Sequence, residues 1–414
     1  MRLAFSLFSL LFAAALLLGS NGLHSTLLSV RGSLEGFSPS EIALLLTAYY
    51  VGFVAGCQRA PTMIAEVGHI RAFTAFASIA SAAAVSHALF VESWFWIGTR
   101  VITGFCFAGM QMIIESWLND RATNENRGRI LSVYRITDFT SATLFQALLP
   151  LFEPRSFVPF GVLTILISFA LVPVALTRVP QPMVPRSVKL QFRKLWRLSP
   201  LAAAGAALIG LSASSYWSMS PLFVMGLGYP PATAGLFIGA LIFGGALAQF
   251  PIGQLSDRVD RRHVIIGTAA TAVIVAILLP MIAKGGQLSL VLAGLLFGGA
   301  AVPSFGLSIA HANDHAEEGD TLSVNGSLLF LFGVSATVGP LIASQVMRFF
   351  GSDALFYWIA LVYAVLAVFG LYRLTSREAP LRQEDYIPVM RTNSGLFDLD
   401  PRTDREGEPP TASS

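Results

Sequence analysis

Twelve apolar runs, each long enough to cross a bilayer as a helix, occupy most of the 414 residues and leave only short polar connections between them. A spanning helix needs about 20 predominantly apolar residues. The runs fall at 3–29, 40–60, 72–90, 94–117, 129–151, 156–177, 199–225, 231–254, 263–283, 288–311, 321–349 and 353–373. They are continuously apolar and lack the period-two alternation of a membrane barrel, so they read as helices. The expected fold class is an all-α membrane protein with twelve transmembrane helices and the lipid bilayer as its solvent. Charged residues make up 12% of the chain, where soluble domains carry about 25%. Arg2 followed by an apolar run and the small residues Gly19 and Ser20 also resembles a secretory signal peptide. The repeat described below needs this run as the partner of the seventh, so it is read as a span.

Lysine and arginine placement orients the chain. The connection from Arg178 to Arg197 holds Arg178, Arg186, Lys189, Arg193, Lys194 and Arg197 with no acidic residue, and reads as cytoplasmic. Both termini then face the cytoplasm. Arg121, Arg127, Arg129, Arg258, Arg261, Arg262, Arg373 and Arg377 fall on that side, against Arg31, Arg155 and Lys284 on the other. One connection dissents: Ala312 to Asp320 carries Asp314, Glu317, Glu318 and Asp320 with no cation, although acidic residues weigh little in this rule. The net charge of +3 follows from the same asymmetry and gives no reason to expect nucleic acid as a partner.

The chain repeats itself. Gly36-Phe37-Ser38-Pro39-Ser40 before the second run returns as Gly228-Tyr229-Pro230-Pro231-Ala232 before the eighth, 192 positions later. Gly104, Phe107 and Gly109 return as Gly294, Phe297 and Gly299 at offset 190, and Leu131-Ser132-Val133 as Leu322-Ser323-Val324 at offset 191. A nearly constant offset across three segments implies six helices plus six helices. The expected division is a six-helix bundle at 1–177, a basic linker at 178–198, a second bundle at 199–373 and a disordered polar tail at 374–414. Parallel repeats related by an axis along the membrane normal let two bundles rock about a site between them, which is alternating access.

Between the eighth and ninth runs lies Gly253-Gln254-Leu255-Ser256-Asp257-Arg258-Val259-Asp260-Arg261-Arg262. This resembles the major facilitator superfamily motif G-x-L-[AS]-D-R-x-G-R-[RK], with Asp260 as the one departure. The resemblance implies a cytoplasmic gate at Gly253, Asp257, Arg258, Arg261 and Arg262. The first-half copy is degraded: Ala65 and Glu66 replace the Asp-Arg pair, while Gly68 keeps the glycine position and Arg71 follows. Arg100 with Gly104 resembles a second signature, R-x-x-x-G. Glu115-Ser116-Trp117-Leu118-Asn119-Asp120, Arg127-Gly128-Arg129, Tyr134, Gly68 to Phe73, Gly339-Pro340 and Leu399-Asp400-Pro401-Arg402 resemble the YcaD-type branch, a resemblance that implies transport and supplies no substrate. Drug–proton antiporters of the superfamily usually carry a glycine-rich run ending in Gly-Pro on the fifth helix. Here Leu131 to Leu151 has no glycine, and a multidrug pump is not favoured.

Ionisable groups within a bilayer are costly and mark functional sites by default. On the fourth run Arg100, Gly104, Ala108, Gln111 and Glu115 follow steps of 4, 4, 3 and 4 along one face; on the fifth, Arg135, Asp138, Ala142 and Gln146 form a second stripe at steps of 3, 4 and 4. An Arg135–Asp138 pair could serve insertion alone, but the added Gln111, Glu115 and Arg100 point to a site, with Asp138 as the proton carrier. Neutral candidates are Asn21 and His24 in the first run, Tyr216 and Trp217 in the seventh, and Asn325 in the eleventh, with Gln249 as a further polar residue in the eighth. The seventh run, with Pro221 and five serines between Ser212 and Ser220, is the expected weak point among the helices.

No phosphate-binding G-x-x-x-x-G-K-[ST] occurs, so ATP is not the driving force. Cys57 and Cys106 lie in or beside apolar runs and support neither a disulfide framework nor a metal site. No cofactor and no catalytic residue is expected. The sequence predicts a monomeric, non-enzymatic secondary transporter in a bacterial cytoplasmic (inner) membrane, a symporter or antiporter of a small polar or amphipathic solute coupled to protons. The alternatives are passive facilitation, or a receptor or assembly protein built on a transport fold.

Overall fold

A computed structural model describes residues 2–122, 127–176, 190–316 and 320–376. Glu317, Glu318, most of the basic linker, and the tail from residue 377 with its Leu399–Arg402 segment lie outside the described residues. The helices are α1 (Arg2–Leu34), α2 (Pro39–Val67), α3 (His69–Leu89), α4 (Ser93–Asp120), α5 (Arg127–Gln146), α6 (Val158–Ala175), α7 (Phe192–Leu198), α8 (Pro200–Gly226), α9 (Pro231–Arg258), α10 (Arg261–Ala283), α11 (Gln287–Ala301), α12 (Ser304–Asn313), α13 (Thr321–Phe350) and α14 (Ala354–Ser376). No strand occurs among the described residues.

The described helices make twelve passes through the bundle. Helices α1 to α6 form the first six spans, and α8, α9, α10, α11 with α12, α13, and α14 form the second six. Ten spans are long and apolar enough on their own; α8 qualifies together with α7, which it meets at 116°. The fifth span falls short because α5 carries Arg127, Arg129, Arg135 and Asp138. It is sheltered from lipid by packing against α1 in its own half and α9 in the other.

Contacts inside the halves repeat. The pairs α2–α4, α3–α6, α1–α5 and α1–α6 recur as α9–α11, α10–α14, α8–α13 and α8–α14. The halves meet through α2 with α13, α5 with α9, and α1 with α8. The recurring turns have a local cause: Gly36 and Gly228 sit at φ +84° and +87°, a region other residues avoid. Ser38 and Glu41 then close a capping box over the start of α2, with Pro39 in its first turn.

Helix crossings correct the register read from sequence. A Cβ on Gly52 would lie 1.9 Å from the Val101 carbonyl oxygen, and one on Gly244 would lie 2.0 Å from that of Leu295. Likewise Gly104 abuts the Tyr49 carbonyl as Gly298 abuts that of Leu241. The fourth and tenth spans therefore correspond at an offset of 194, with Gly104 matching Gly298 rather than Gly294. The offset of 190 was one helical turn out of step, an error that a glycine-rich helix invites because its small residues recur every turn.

The weak point also moves. Helix α8 runs unbroken through Pro221, and within it Ser214 and Ser215 return their hydroxyls to the carbonyls of Gly210 and Leu211. The tenth span breaks instead between Ala301 and Ser304, at Pro303, which lacks a backbone donor. Tyr363 of α14 donates to the Ala301 carbonyl at 3.3 Å there.

Candidate functional site

A cavity of about 410 Å³ lies between the halves, walled by α1, α2, α4 and α5 on one side and α8, α9 and α13 on the other. Small-molecule sites span roughly 300–1,000 Å³. At the end of the bundle away from the termini the halves are tied together: Ser29 donates to the Ser218 carbonyl at 3.3 Å, Thr47 to that of Thr337 at 2.9 Å, and Gln345 to Ser40 at 3.0 Å. Toward the other end the cavity reaches Gln58 and Pro61 on α2 and Leu190 beside the linker helix. The described state is closed at one face and deepened toward the terminal-bearing face.

Of the residues singled out in the sequence, Asn21, Arg100, Gln111, Asp138, Gln146 and Trp217 line this cavity. Asn21 donates to the Tyr49 hydroxyl at 2.8 Å. The Arg100 guanidinium lies 4.4 Å from the centre of the Tyr49 ring and donates through Nη2 to Ser25 Oγ at 2.9 Å. Helix α4 presents Arg100 while Gly104, one turn on, seats α4 against the Tyr49 backbone, so the same close crossing brings ring and guanidinium together. Tyr49, Tyr50 and Phe53 on α2 and Ser25 on α1 also line the cavity and were missed in the sequence.

The other candidates lie outside the lining. Glu115 is buried and accepts from the Tyr134 hydroxyl at 3.3 Å; Arg135 is buried near the same tyrosine. His24 is buried against His87, with ring centres 5.0 Å apart, and His87 in turn meets Thr99 at 3.0 Å. Tyr216 packs its ring on Trp217 and edge-on to Phe297, and Asn325 is buried within α13.

At the terminal-bearing end, the connection between α9 and α10 forms a charged clamp. Arg261, 1% exposed, donates to Asp314 at 2.5 Å and to Asp257 at 2.8 Å. Asp314 is the C-cap of α12, so the clamp ties the α9–α10 connection to the tenth span. The acidic connection that dissented from the charge rule therefore lies at the same end as the cations it pairs with: Asp314 meets Arg261, and Asp320 meets Lys194 of α7. Asp260, the departure from the motif, caps α10. It accepts from the Arg262 backbone at 3.0 Å and from the Arg262 Nη2 at 2.6 Å. Partial burial opposes ionisation of Asp260, yet the bonds from Arg262 outweigh it and hold the carboxyl below its ordinary range. Gly253 is buried in α9, while Arg258 is exposed. In the first half Gly68, at φ +87°, joins α2 to α3; Arg71 and Glu66 are exposed, and buried His69 stacks near Trp117 with ring centres 5.9 Å apart. An aromatic contact replaces the ion pair there.

Two pseudo-equivalent six-helix halves enclose a central cavity, and with the family match that follows they make this a membrane transporter and not an enzyme. The chain matches the sequence profile of the Major Facilitator Superfamily in two overlapping stretches, residues 3–247 and 202–388, and belongs to that family. It is 24% identical over 340 residues to an uncharacterized MFS-type transporter, YcaD, of Escherichia coli, covering 82% of this chain and 88% of that one. Its fold is similar to the crystal structure of the nucleoside transporter NupG, with TM-score 0.74 at 14% identity over 90% of this chain and 99% of the other. A bacterial homologue of the human lysosomal transporter Spinster, inward-facing and unoccupied, aligns with TM-score 0.65 at 15% identity over 98% of this chain and 99% of the other. A point variant of the Escherichia coli fucose:proton symporter, FucP, aligns with TM-score 0.55 at 13% identity over 89% of this chain and 98% of the other.

Proposed function

We propose that this protein is a secondary active transporter of the bacterial cytoplasmic membrane, with both termini in the cytoplasm, that moves a small solute by alternating access coupled to protons. The observation that carries the proposal is Asp138 on the wall of the same central cavity as Arg100, Gln111, Gln146 and Trp217. A titratable acid on the solute path can exchange a proton each time the cavity changes sides, which ties proton movement to solute movement. The linker at 178–198 joins two bundles that rock against each other, and Asp257, Arg261 and Asp314 stiffen the second bundle at its cytoplasmic end. The structural neighbours include a nucleoside transporter and a fucose:proton symporter, in keeping with a small polar or amphipathic solute and with proton coupling.

The test begins with a ligand-stabilisation screen on the purified protein, since a bound solute raises the melting temperature. Hits are then added to proteoliposomes containing a pH-sensitive dye. Solute-dependent proton flux in wild type, absent in Asp138→Asn, is the expected result. Uptake without proton flux would leave passive facilitation as the function.

A further inference from the structure

The cavity wall holds a charge for which the fold itself has no use. Arg100 is fully buried, and its Nε and Nη1 have no hydrogen-bond acceptor. Its contacts are with the Ser25 hydroxyl and the Tyr49 ring, and no carboxylate among the described residues lies within ion-pair distance of it. A buried guanidinium without a counter-charge is destabilising by several kcal/mol.

The internal repeat supplies the control. At the offset of 194 fixed by the helix crossings, the position of Arg100 in the second half belongs to Gly294, which packs under Phe237. The same scaffold is therefore built with no side chain at all at this site. Tyr49 corresponds to Leu241 by the same crossings, so the ring that covers the guanidinium is also peculiar to the first half.

We infer that Arg100 is the subsite for an anionic group on the solute, and that the transported class is a small organic carboxylate with an aromatic or apolar body. This inference rests on the transport reading of the cavity given above and names the chemistry of its cargo. A carboxylate accepts in bidentate fashion from Nε with Nη2 or from Nη1 with Nη2, and since neither Nε nor Nη1 has an acceptor, each fork has one donor waiting. Ser25 lines the cavity beside Arg100, and its hydroxyl is the acceptor that an arriving carboxylate replaces at Nη2. Beyond the charge the wall turns aromatic and apolar, with Tyr50, Phe53, Trp217, Ile238 and Phe332 facing the space that the body of such a molecule would fill. The neighbouring Asn21 and Gln146 serve as neutral polar contacts and compete weakly for the anion.

The experiment measures binding to the purified full-length protein in detergent by thermal shift and calorimetry. The probes are benzoate, phenylacetate and indole-3-acetate, each paired with its uncharged amide. The expected result is that carboxylates bind wild type and their amides bind about 10- to 100-fold more weakly, the range of a lost charge-assisted contact. Arg100→Gln should lose the preference for the charged member of each pair, Arg100→Lys should retain part of it, and Ser25→Ala should keep or strengthen carboxylate binding. The acid–amide comparison uses wild type alone and holds even if Arg100→Gln fails to fold. Carboxylates that bind no better than their amides, or that bind Arg100→Gln as well as wild type, would overturn the inference. Neutral solutes that bind and drive proton flux would overturn it while leaving the transport reading intact, whereas carboxylate binding without proton flux would sustain it and overturn the coupling.

Discussion

Asp314→Asn is the sharpest test of the clamp, because it removes one carboxylate from a guanidinium that cannot reach water. Arg261 is 1% exposed and the Asp314 side chain 0%, so solvent does little to screen their attraction. Breaking a buried pair by neutralising one member costs about 3–5 kcal/mol. Here the loss is smaller, since the Asp257 bond at 2.8 Å survives. We put it at about 2–3 kcal/mol. Asp257 is 31% exposed, and the same change there should cost about 1 kcal/mol after solvent screening. Replacing Arg261 and Asp314 together by Met and Leu should recover much of the stability, because a desolvated charge disappears with its partner. The assay is the midpoint of thermal unfolding in one detergent at one scan rate, as membrane-protein unfolding is irreversible and rate-dependent. The expected order of loss is Asp314→Asn, then Asp257→Asn. If Asp257→Asn proves as damaging, or the double replacement as damaging as Asp314→Asn alone, then burial does not govern the clamp and the reasoning fails.

Asp138→Asn should abolish pH-gradient-driven accumulation in proteoliposomes while solute binding to the purified protein persists, and unchanged accumulation would remove Asp138 from the coupling step. Gly298→Ala places a Cβ 1.9 Å from a backbone carbonyl, which no rotamer can relieve, and should cost about 3 kcal/mol or more; Gly267→Ala, with nothing within 4 Å, should be neutral or slightly stabilising. Matched melting curves decide that comparison. Asp260 has a lowered pKa, so its contribution is present above the unfolded value near 3.9 and fades as pH falls through the still lower folded value. Melting from pH 6 down to pH 3 should therefore show a small acid-dependent loss in wild type, about 0.5 kcal/mol for a group still partly open to solvent, that is missing in Asp260→Asn.

The spans and the repeat were legible because both are written along the chain: apolar length gives a crossing, and Gly36 and Gly228 mark the same turn twice. The register of the fourth against the tenth helix was less so. It is fixed by which carbonyl each glycine meets, and Gly294 and Gly298 look alike until Leu241 is seen beside one of them. The site was half legible. Arg100, Gln111 and Asp138 announced themselves as polar residues in apolar helices, but the stripe on α4 does not stay on one face. Fifteen residues from Arg100 to Glu115 turn the helix about 60° beyond four full turns, enough to take Glu115 off the cavity and onto Tyr134. Tyr49 went unnoticed because an aromatic in a membrane helix is ordinary until another helix sets an arginine over it. Asp314 was noticed only as an exception to a charge rule, since its partner Arg261 lies 53 residues away.

The ties that close the face away from the termini, Ser29 to Ser218, Thr47 to Thr337 and Ser40 to Gln345, join neutral groups only. A transmembrane voltage does work on charge, about 2.3 kcal/mol per unit charge per 100 mV, and on uncharged hydrogen bonds it does almost none. The energised membrane therefore has no handle on this latch, and opening it is set by the strength of the bonds and by what fills the cavity. Under the transport reading proposed above, electrical sensitivity enters through the cargo and the ionisable wall, and a solute carrying one negative charge with one proton adds no net charge of its own.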